Sequence, residues 1–299
     1  MCRHPMLSLA VSNGVFLLLL GSPAADGTQT QTRYPWLSAV DTAATLEVRV
    51  PPPTGFVRLS APPDSFAMWL RGLPMKPAGA PVKLFDGGDK SRQDVHAAVI
   101  DIDVGRRDLQ QCADAVMRLR AEWLRAVDRS GDIAFDYTGG GRVSYARWAK
   151  GERPSSNGRS WSARANPDDS YASFRRYLDR VFIYAGSYSL ERELIPVPAA
   201  GMDIGDVFVK GAFPGHAVLV ADMVAHEATG ERRFLLVQSY MPAQDMHVLK
   251  NPRDAAGSPW YPVAFAGDLA TPEWTFAPTS LRRWPTAGTP PRPPPGRRQ

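Results

Sequence analysis

Two side chains in this sequence, a cysteine thiol and a histidine imidazole, have the chemistry of a nucleophile and its base. Cys112 lies in the stretch DLQQCADAV, and His216 opens the apolar run HAVLVADMV directly after a glycine. A thiol attacks as a thiolate, and an imidazole within hydrogen-bond reach can take its proton. The alternatives are that Cys112 is a small core residue and that His216 is a polar residue at a wet strand end.

The element that would hold the thiol is an amphipathic helix over residues 108–127. One apolar stripe at three- and four-residue spacing runs along it, formed by Leu109, Cys112, Val116, Leu119, Trp123 and Val127. Asp108 followed by Gln111 is typical of a capping box, which predicts that the helix begins at 108. Cys112 would then lie in the first turn, where the helix dipole and an imidazole predict a thiol pKa well below the free value of about 8.5.

The imidazole would be held by a small antiparallel sheet. Apolar runs separated by glycine-rich turns predict strands over 205–210, 216–224 and 233–240. The third strand offers a polar side chain that can orient the ring. Whether this is Gln238 or Ser239 depends on the register, because a slip of one residue exchanges the two faces of a strand.

The ends of the chain differ in composition from its middle. Residues 1–24 combine a basic start, the apolar segment GVFLLLLG and small residues, which is typical of an export signal. The apolar segment is too short to span a bilayer. Residues 25–50 are expected to form a polar linker, 51–278 a single α+β domain, and 279–299 a disordered tail rich in proline and arginine. We therefore expect an exported protein, periplasmic or extracellular, with no transmembrane helix in the mature chain.

Cysteine usage and charge narrow the function further. Cleavage of the signal would leave Cys112 as the only cysteine, so it cannot form an internal disulfide. The formal net charge is +5, but residues 282–299 hold five arginines and no acid. The remainder is near neutral, which excludes the basic surface that a nucleic-acid partner requires.

No spacing of histidine and acidic residues resembles a closed metal site, so we expect no cofactor, and His247 is interpreted as a surface residue.

Residues 129–169 are expected to form an irregular insert. Aromatic and arginine side chains are interleaved there, namely Tyr137, Arg142, Tyr145, Arg147, Trp148, Arg153 and Trp161. Long irregular segments in compact domains are often functional, so we expect Tyr145, Trp148 and Arg153 to wall a cleft that binds a glycan or an acidic peptide. The alternative is that these side chains cover the core, with the arginine stems lying along apolar surface.

The order of these features resembles the cell-wall peptidase branch of the papain-like cysteine hydrolases, the NlpC/P60 type. The matching positions are Cys112 at a helix N-terminus, Gly205–Asp206 opening the first strand, Gly215–His216 opening the second, and Gln238 on the third. The resemblance implies a papain-like core in which the Cys helix packs on a small antiparallel sheet, here with an N-terminal extension and the insert. It also implies a catalytic set of Cys112, His216 and Gln238.

Longer segments resemble the bacterial domain-of-unknown-function family 4846. They are DVHAAVIDIDVGRRDLQQCADAVMRLRAEWL, PGHAVLVADM, QSYMPAQDMHVLKNP and TPEWTF. This resemblance brings no established activity, so the function is expected from the residues: a cysteine hydrolase or amidase acting on an amide bond, in a cell-wall peptide or a similar substrate. The alternative is a non-catalytic ligand-binding or scaffold protein of the cell envelope on a papain-like frame, with Cys112 buried and inert.

Overall fold

The structure is a computed structural model, and it describes residue 1 and residues 33–286. The rest of the predicted export signal and the tail beyond residue 286 lie outside the described residues.

The helices are α1 Leu46–Arg49, α2 Phe66–Arg71, α3 Cys112–Ala126, α4 Tyr145–Ala149, α5 Tyr171–Tyr184 and α6 Ser187–Glu193. Short 3-10 turns cover Ser130–Asp132, Ala199–Gly201 and Pro278–Ser280. The strands are β1 Phe56–Arg58, β2 His96–Val99, β3 Ala134–Asp136, β4 Arg142–Ser144, β5 Glu152–Pro154, β6 Trp161–Ala163, β7 Ile195–Pro196, β8 Val207–Lys210, β9 His216–His226, β10 Arg232–Gln238, β11 His247–Leu249, β12 Tyr261–Pro262, β13 Leu269–Ala270, β14 Thr275–Phe276 and β15 Leu281–Arg283.

The centre of the fold is one antiparallel sheet. Its strand order is β2-β11-β10-β9-β8-β15-β7, with β1 paired to β9 and β12 paired to β10 at the ends of those longer strands. The three predicted strands are confirmed as β8, β9 and β10, which lie side by side. The α+β class is therefore confirmed.

Both faces of the sheet are covered, because successive side chains of a strand point to opposite sides. On one face, Leu219 and Val237 join the apolar stripe of α3 in the larger core. On the other face, Val218 and Leu236 pack with Phe276 from the C-terminal segment in a second core. The sheet is thus the middle layer between α3 and the loops that follow β11.

Helix α3 begins at Cys112, four residues later than predicted. The Asp108 carboxylate accepts hydrogen bonds from Gln111 Nε2 at 2.9 Å and from the Ala243 backbone N–H at 2.7 Å, so it links two loops instead of starting the helix. The N-cap is Gln111, whose backbone N–H donates to Asp114 Oδ2 at 3.1 Å. Cys112 is therefore the first residue of the helix, and it is buried as the apolar stripe predicts.

The insert over residues 129–169 is more regular than predicted. It contains the β3–β4 hairpin, α4 and the β5–β6 hairpin, and these pack on α5. Tyr177 of α5 donates a hydrogen bond to Val143 O at 2.8 Å, and Trp148 Nε1 donates to Ser173 Oγ at 3.2 Å. These long-range contacts give the segment fixed structure that its composition alone did not indicate.

The domain is longer at both ends than predicted. Leu46 in α1 is buried ahead of residue 51, and β15 pairs with β8 beyond residue 278, so residues 281–283 belong to the sheet and not to a disordered tail. The N-terminal segments pack around the core, since Arg58 and Arg71 each donate to the buried Asp222 at 2.7 Å. Among the described residues, no helix has the length and apolar character needed to cross a membrane.

Candidate functional site

Three polar side chains meet at one end of the central strands. His216 begins β9, Gln238 ends β10 and His247 begins β11. His216 Nε2 lies 2.9 Å from Gln238 Oε1, and Gln238 Nε2 lies 3.2 Å from His247 Nε2. All three side chains are buried. Of the two candidates for the third position, it is Gln238 that contacts His216.

The partners of Gln238 define the orientation of its amide and therefore the protonation of His216. Gln238 Nε2 donates to Glu273 Oε2 at 2.8 Å, and the other oxygen of that carboxylate accepts from Lys90 Nζ at 2.6 Å. An ionised carboxylate only accepts hydrogen bonds, so the amide NH2 faces Glu273 and Oε1 faces His216. We assign the His216 proton to Nε2 on this network, which leaves Nδ1 with a free lone pair.

His247 completes the same network from the other side of the amide. Its Nδ1 lies 2.9 Å from the backbone oxygen of Asp245 and donates to it, so its Nε2 accepts from Gln238 Nε2. Burial lowers the pKa of His247 to about 3, and the charge of Lys90 acts in the same direction. His247 is therefore neutral at physiological pH, as this acceptor role requires.

His216 lies in an aromatic environment that keeps it neutral. Burial lowers its pKa to about 4, opposed by the hydrogen bond to Gln238 and assisted by the charge of Lys90. Three rings pack on the imidazole, with centroids 4.9 Å (Tyr240), 5.3 Å (Trp274) and 5.9 Å (Phe276) away. At neutral pH the ring can accept a proton at Nδ1.

The Cys112 thiol lies where the first turn of α3 meets the start of β9. The backbone amides of Ala217 and Ala113 lie beside the sulfur, and Ala217 directly follows His216. Burial nevertheless raises the pKa of Cys112 to about 11, and the charge of Asp114 adds to the rise. The expectation of a lowered thiol pKa is therefore wrong for this structure, because desolvation outweighs the amides. In the described part of the chain, no hydrogen bond joins the thiol to the His216 ring.

The remaining residues of the predicted strand motifs are structural. Ser239 Oγ lies 3.1 Å from Gln110 O and 2.9 Å from Gln244 O, so it links the loop before α3 to the loop after β10. Asp206 accepts two hydrogen bonds from Arg283, at 2.7 and 2.8 Å, and ties β8 to β15. A Cβ atom on Gly215 would lie 2.2 Å from Ser187 Oγ and 2.4 Å from Ala212 O, so only glycine fits in the turn before His216.

The insert residues expected to wall a substrate cleft lie elsewhere. Tyr145 and Trp148 are buried, and Tyr145 packs edge-on against Phe174 at 5.4 Å. Arg153 covers the Trp148 ring at 3.8 Å and donates to its backbone oxygen. The alternative, in which they cover the core, describes them better, although Trp148 and Arg153 border a separate cavity of about 580 Å³.

That region is remote from the thiol. Arg125 in the last turn of α3 approaches the Tyr145 hydroxyl at 3.5 Å, whereas Cys112 is at the first turn. Thirteen residues of α-helix separate the two positions, or about 20 Å at 1.5 Å per residue. Tyr145, Trp148 and Arg153 therefore do not contribute to the site around His216.

Three residues of the site were missed in the sequence. His247 was interpreted as a surface residue but is fully buried, while Glu273 and Lys90 lie in loops without a recognisable pattern. Residues two positions apart on a strand lie on the same face. The spacing of His247 and Leu249 is therefore the one signal in the sequence that places His247 on the same face as a buried leucine.

Comparisons with known proteins give a family and nothing more specific. The family model described as domain of unknown function (4846) matches residues 46–283. No curated protein and no solved structure matches the chain. Among the described residues, no group of three or more histidine, cysteine, aspartate or glutamate side chains could hold a metal ion.

Proposed function

We propose that this chain, which belongs to the family described as domain of unknown function (4846), is a cysteine hydrolase or amidase that cleaves an amide bond. Cys112 would be the nucleophile, His216 the base and Gln238 the residue that orients the base. The resemblance to the NlpC/P60 type suggests a cell-wall peptide as the substrate, and the predicted export signal would bring the enzyme to it.

One observation carries this proposal, namely the hydrogen bond between His216 Nε2 and Gln238 Oε1 at 2.9 Å, with the amide fixed from behind by Glu273. Any buried imidazole needs a hydrogen-bond partner, and the partner here also determines which ring nitrogen carries the proton. Here the network leaves Nδ1 as the free acceptor, on a residue whose neighbour Ala217 lies beside the Cys112 sulfur. The proposal requires that the imidazole and the thiol come within hydrogen-bond reach when the substrate binds.

The chemistry would proceed in two balanced steps. His216 Nδ1 takes the thiol proton, the sulfur bonds to the amide carbonyl carbon, and the C–N bond breaks as the imidazolium returns the proton to the leaving amine. The product of this step is a thioester on Cys112. In the second step His216 takes a proton from water, the hydroxide adds to the thioester, the C–S bond breaks and the thiolate recovers the proton. The backbone N–H groups of the first turn of α3, which have no partner within the helix, can stabilise the oxyanion.

The main energetic obstacle is the first proton transfer. The pKa of the thiol is about 11 and that of the imidazole about 4, so separating the charges is strongly uphill in the resting site. Burial is the largest cause of both shifts, and the attraction between thiolate and imidazolium opposes it. We therefore propose that the pair is neutral at rest and ionises only as the substrate enters, which agrees with catalytic hydrogen bonds that tighten on substrate binding.

A different observation, the burial of Cys112, supports a second candidate function. A cysteine that is 9% exposed, with a raised pKa, has the properties of an inert core residue. The protein would then be a non-catalytic binding or scaffold protein, and the His216 network would only stabilise the end of the sheet. The two candidates differ in whether Cys112 ever becomes acylated.

A small activated ester tests this directly. We expect p-nitrophenyl acetate to give a burst of one p-nitrophenolate per protein and a mass increase of one acetyl group on the peptide that contains Cys112. Cys112→Ala should abolish both signals. His216→Ala should slow the burst 10²- to 10⁴-fold, which is the range for loss of a general base.

Ser239→Ala is the matched control, because Ser239 lies one position from Gln238 but faces the loop before α3. Its burst should stay within about twofold of the wild-type rate. Acetylation that persists in Cys112→Ala, or a thiol that stays silent to the ester in the native protein and reacts only in denaturant, would contradict the enzyme and favour the scaffold.

A further inference from the structure

A second cavity, independent of the Cys112 site, lies at the side of α3. Its volume is about 260 Å³, and its walls include Arg120, Leu124, Phe135 and Trp284. Arg120 is two helical turns from Cys112, or about 12 Å at 1.5 Å per residue. The cavity therefore does not depend on the function proposed above.

Arg120 differs from the other arginines of this cavity in having no anionic partner. Arg129 pairs with Asp132 at 2.6 Å, and Arg142 pairs with Glu193 at 3.0 Å. Within the described residues, Arg120 takes part in no ion pair and no hydrogen bond. Its contacts are aromatic: its guanidinium carbon lies 4.4 Å from the Trp123 ring centroid and 5.6 Å from that of Trp284.

A second unpartnered donor borders the same cavity. Trp284 is 8% exposed, and its indole Nε1 is buried with no hydrogen-bond partner in the described part of the chain. Buried N–H groups are normally hydrogen-bonded, and one without a partner destabilises the folded state. Arginine and tryptophan side chains are donors only, so whatever satisfies both must supply acceptors.

The geometry points to a binding site for a small monocarboxylate with an apolar body. The carboxylate would bond the Arg120 guanidinium, which has no hydrogen bond within the described residues, and would bring an acceptor to the indole N–H of Trp284. Among the described residues of the cavity wall, Arg120 is the one arginine without an ion pair, and the Asp132 and Glu193 carboxylates both act on it, so a dianion such as phosphate is disfavoured. Phe135, Leu124 and the Trp284 ring supply the apolar walls for the rest of the ligand.

Titration calorimetry with benzoate, benzamide and inorganic phosphate tests the site on the full chain. We expect benzoate to bind at one site per chain, and its uncharged analogue benzamide and phosphate to bind at least tenfold more weakly. Arg120→Met should weaken benzoate binding 10- to 100-fold, the loss of one charge-assisted hydrogen-bonding group. The control variant Arg176→Met removes an arginine that pairs with Asp168 at 2.8 Å outside the walls of this cavity, and it should change the affinity less than threefold.

An NMR measurement on the wild-type protein avoids any folding defect of the variants. Trp284→Phe identifies the indole N–H signal of Trp284 by its disappearance, and benzoate should shift that signal in the unmodified chain. Equal binding of benzoate and benzamide, tighter binding of phosphate, an unchanged affinity in a folded Arg120→Met, or benzoate binding that leaves the Trp284 signal in place would each overturn the assignment.

Discussion

The ion pair between Lys90 and Glu273, the carboxylate that also holds the Gln238 amide, gives the most specific prediction about the free energy of unfolding. Lys90 and Glu273 lie 2.6 Å apart with side chains only 7% and 10% exposed. Glu273 accepts from Lys90 with one oxygen and from Gln238 with the other. The amide of Glu273→Gln has one acceptor oxygen, so it can satisfy Lys90 or Gln238 but not both. We expect the free energy of unfolding to fall by about 3–5 kcal/mol, the usual effect of leaving a buried charge uncompensated.

Urea unfolding of three variants, compared with the unmodified chain, measures this effect. Lys90→Met combined with Glu273→Gln should recover a large part of the loss, because no unpaired buried charge remains. Lys83 and Asp89 provide a matched control, since they also lie 2.6 Å apart but are 44% and 61% exposed. Asp89→Asn should therefore cost no more than about 1 kcal/mol. Equal losses for Glu273→Gln and Asp89→Asn, or a double variant less stable than Glu273→Gln alone, would refute the reasoning.

Three further predictions concern pH and packing. Burial raises the pKa of Glu193 from 4.5 to about 7, so its contribution to stability falls as the pH rises through that window, and Glu193→Gln should remove this slope in unfolding measured from pH 4.5 to 7. Burial lowers the pKa of His247 from 6.5 to about 3, so stability should fall as the pH drops through that range, and His247→Gln should flatten the fall. Gly215→Ala should cost about 1–3 kcal/mol because its Cβ would meet Ser187 and the backbone, whereas Gly186→Ala, in open space, should cost less than 1 kcal/mol. Unchanged slopes, or equal melting temperatures for the two alanine variants, would contradict these expectations.

The parts of the fold that follow from local pattern could be predicted. The apolar stripe of α3 placed Cys112 on a buried face near the helix start, and the alternation in β9 and β10 defined the central strands. The family membership also agrees with the long sequence segments. In each case the signal lies within about twenty residues of sequence, where helical and strand periods are visible.

The parts that depend on distant contacts could not be predicted. Helix α3 begins later than predicted because the Asp108 carboxylate accepts a hydrogen bond from the backbone N–H of Ala243, which is 135 positions away. Glu273 and Lys90 stand in loops, and only the closed fold brings them to Gln238. The predicted direction of the thiol pKa shift was wrong. The helix dipole can be inferred from sequence, whereas the extent to which distant segments exclude water from the thiol cannot.

The separation of the site residues along the chain has a consequence for how the protein is made. During synthesis Gln238 lacks its hydrogen-bond partner Glu273 until 35 more positions have been added, which takes about 2–7 s at common elongation rates. Until Glu273 is present, His247 is the other acceptor that orients the Gln238 amide, and Lys90 lacks the Glu273 carboxylate as its counter-charge. A chain that ends early, by mistranslation or proteolysis, would thus contain both Cys112 and His216 yet lack the carboxylate that holds the Gln238 amide and pairs with Lys90.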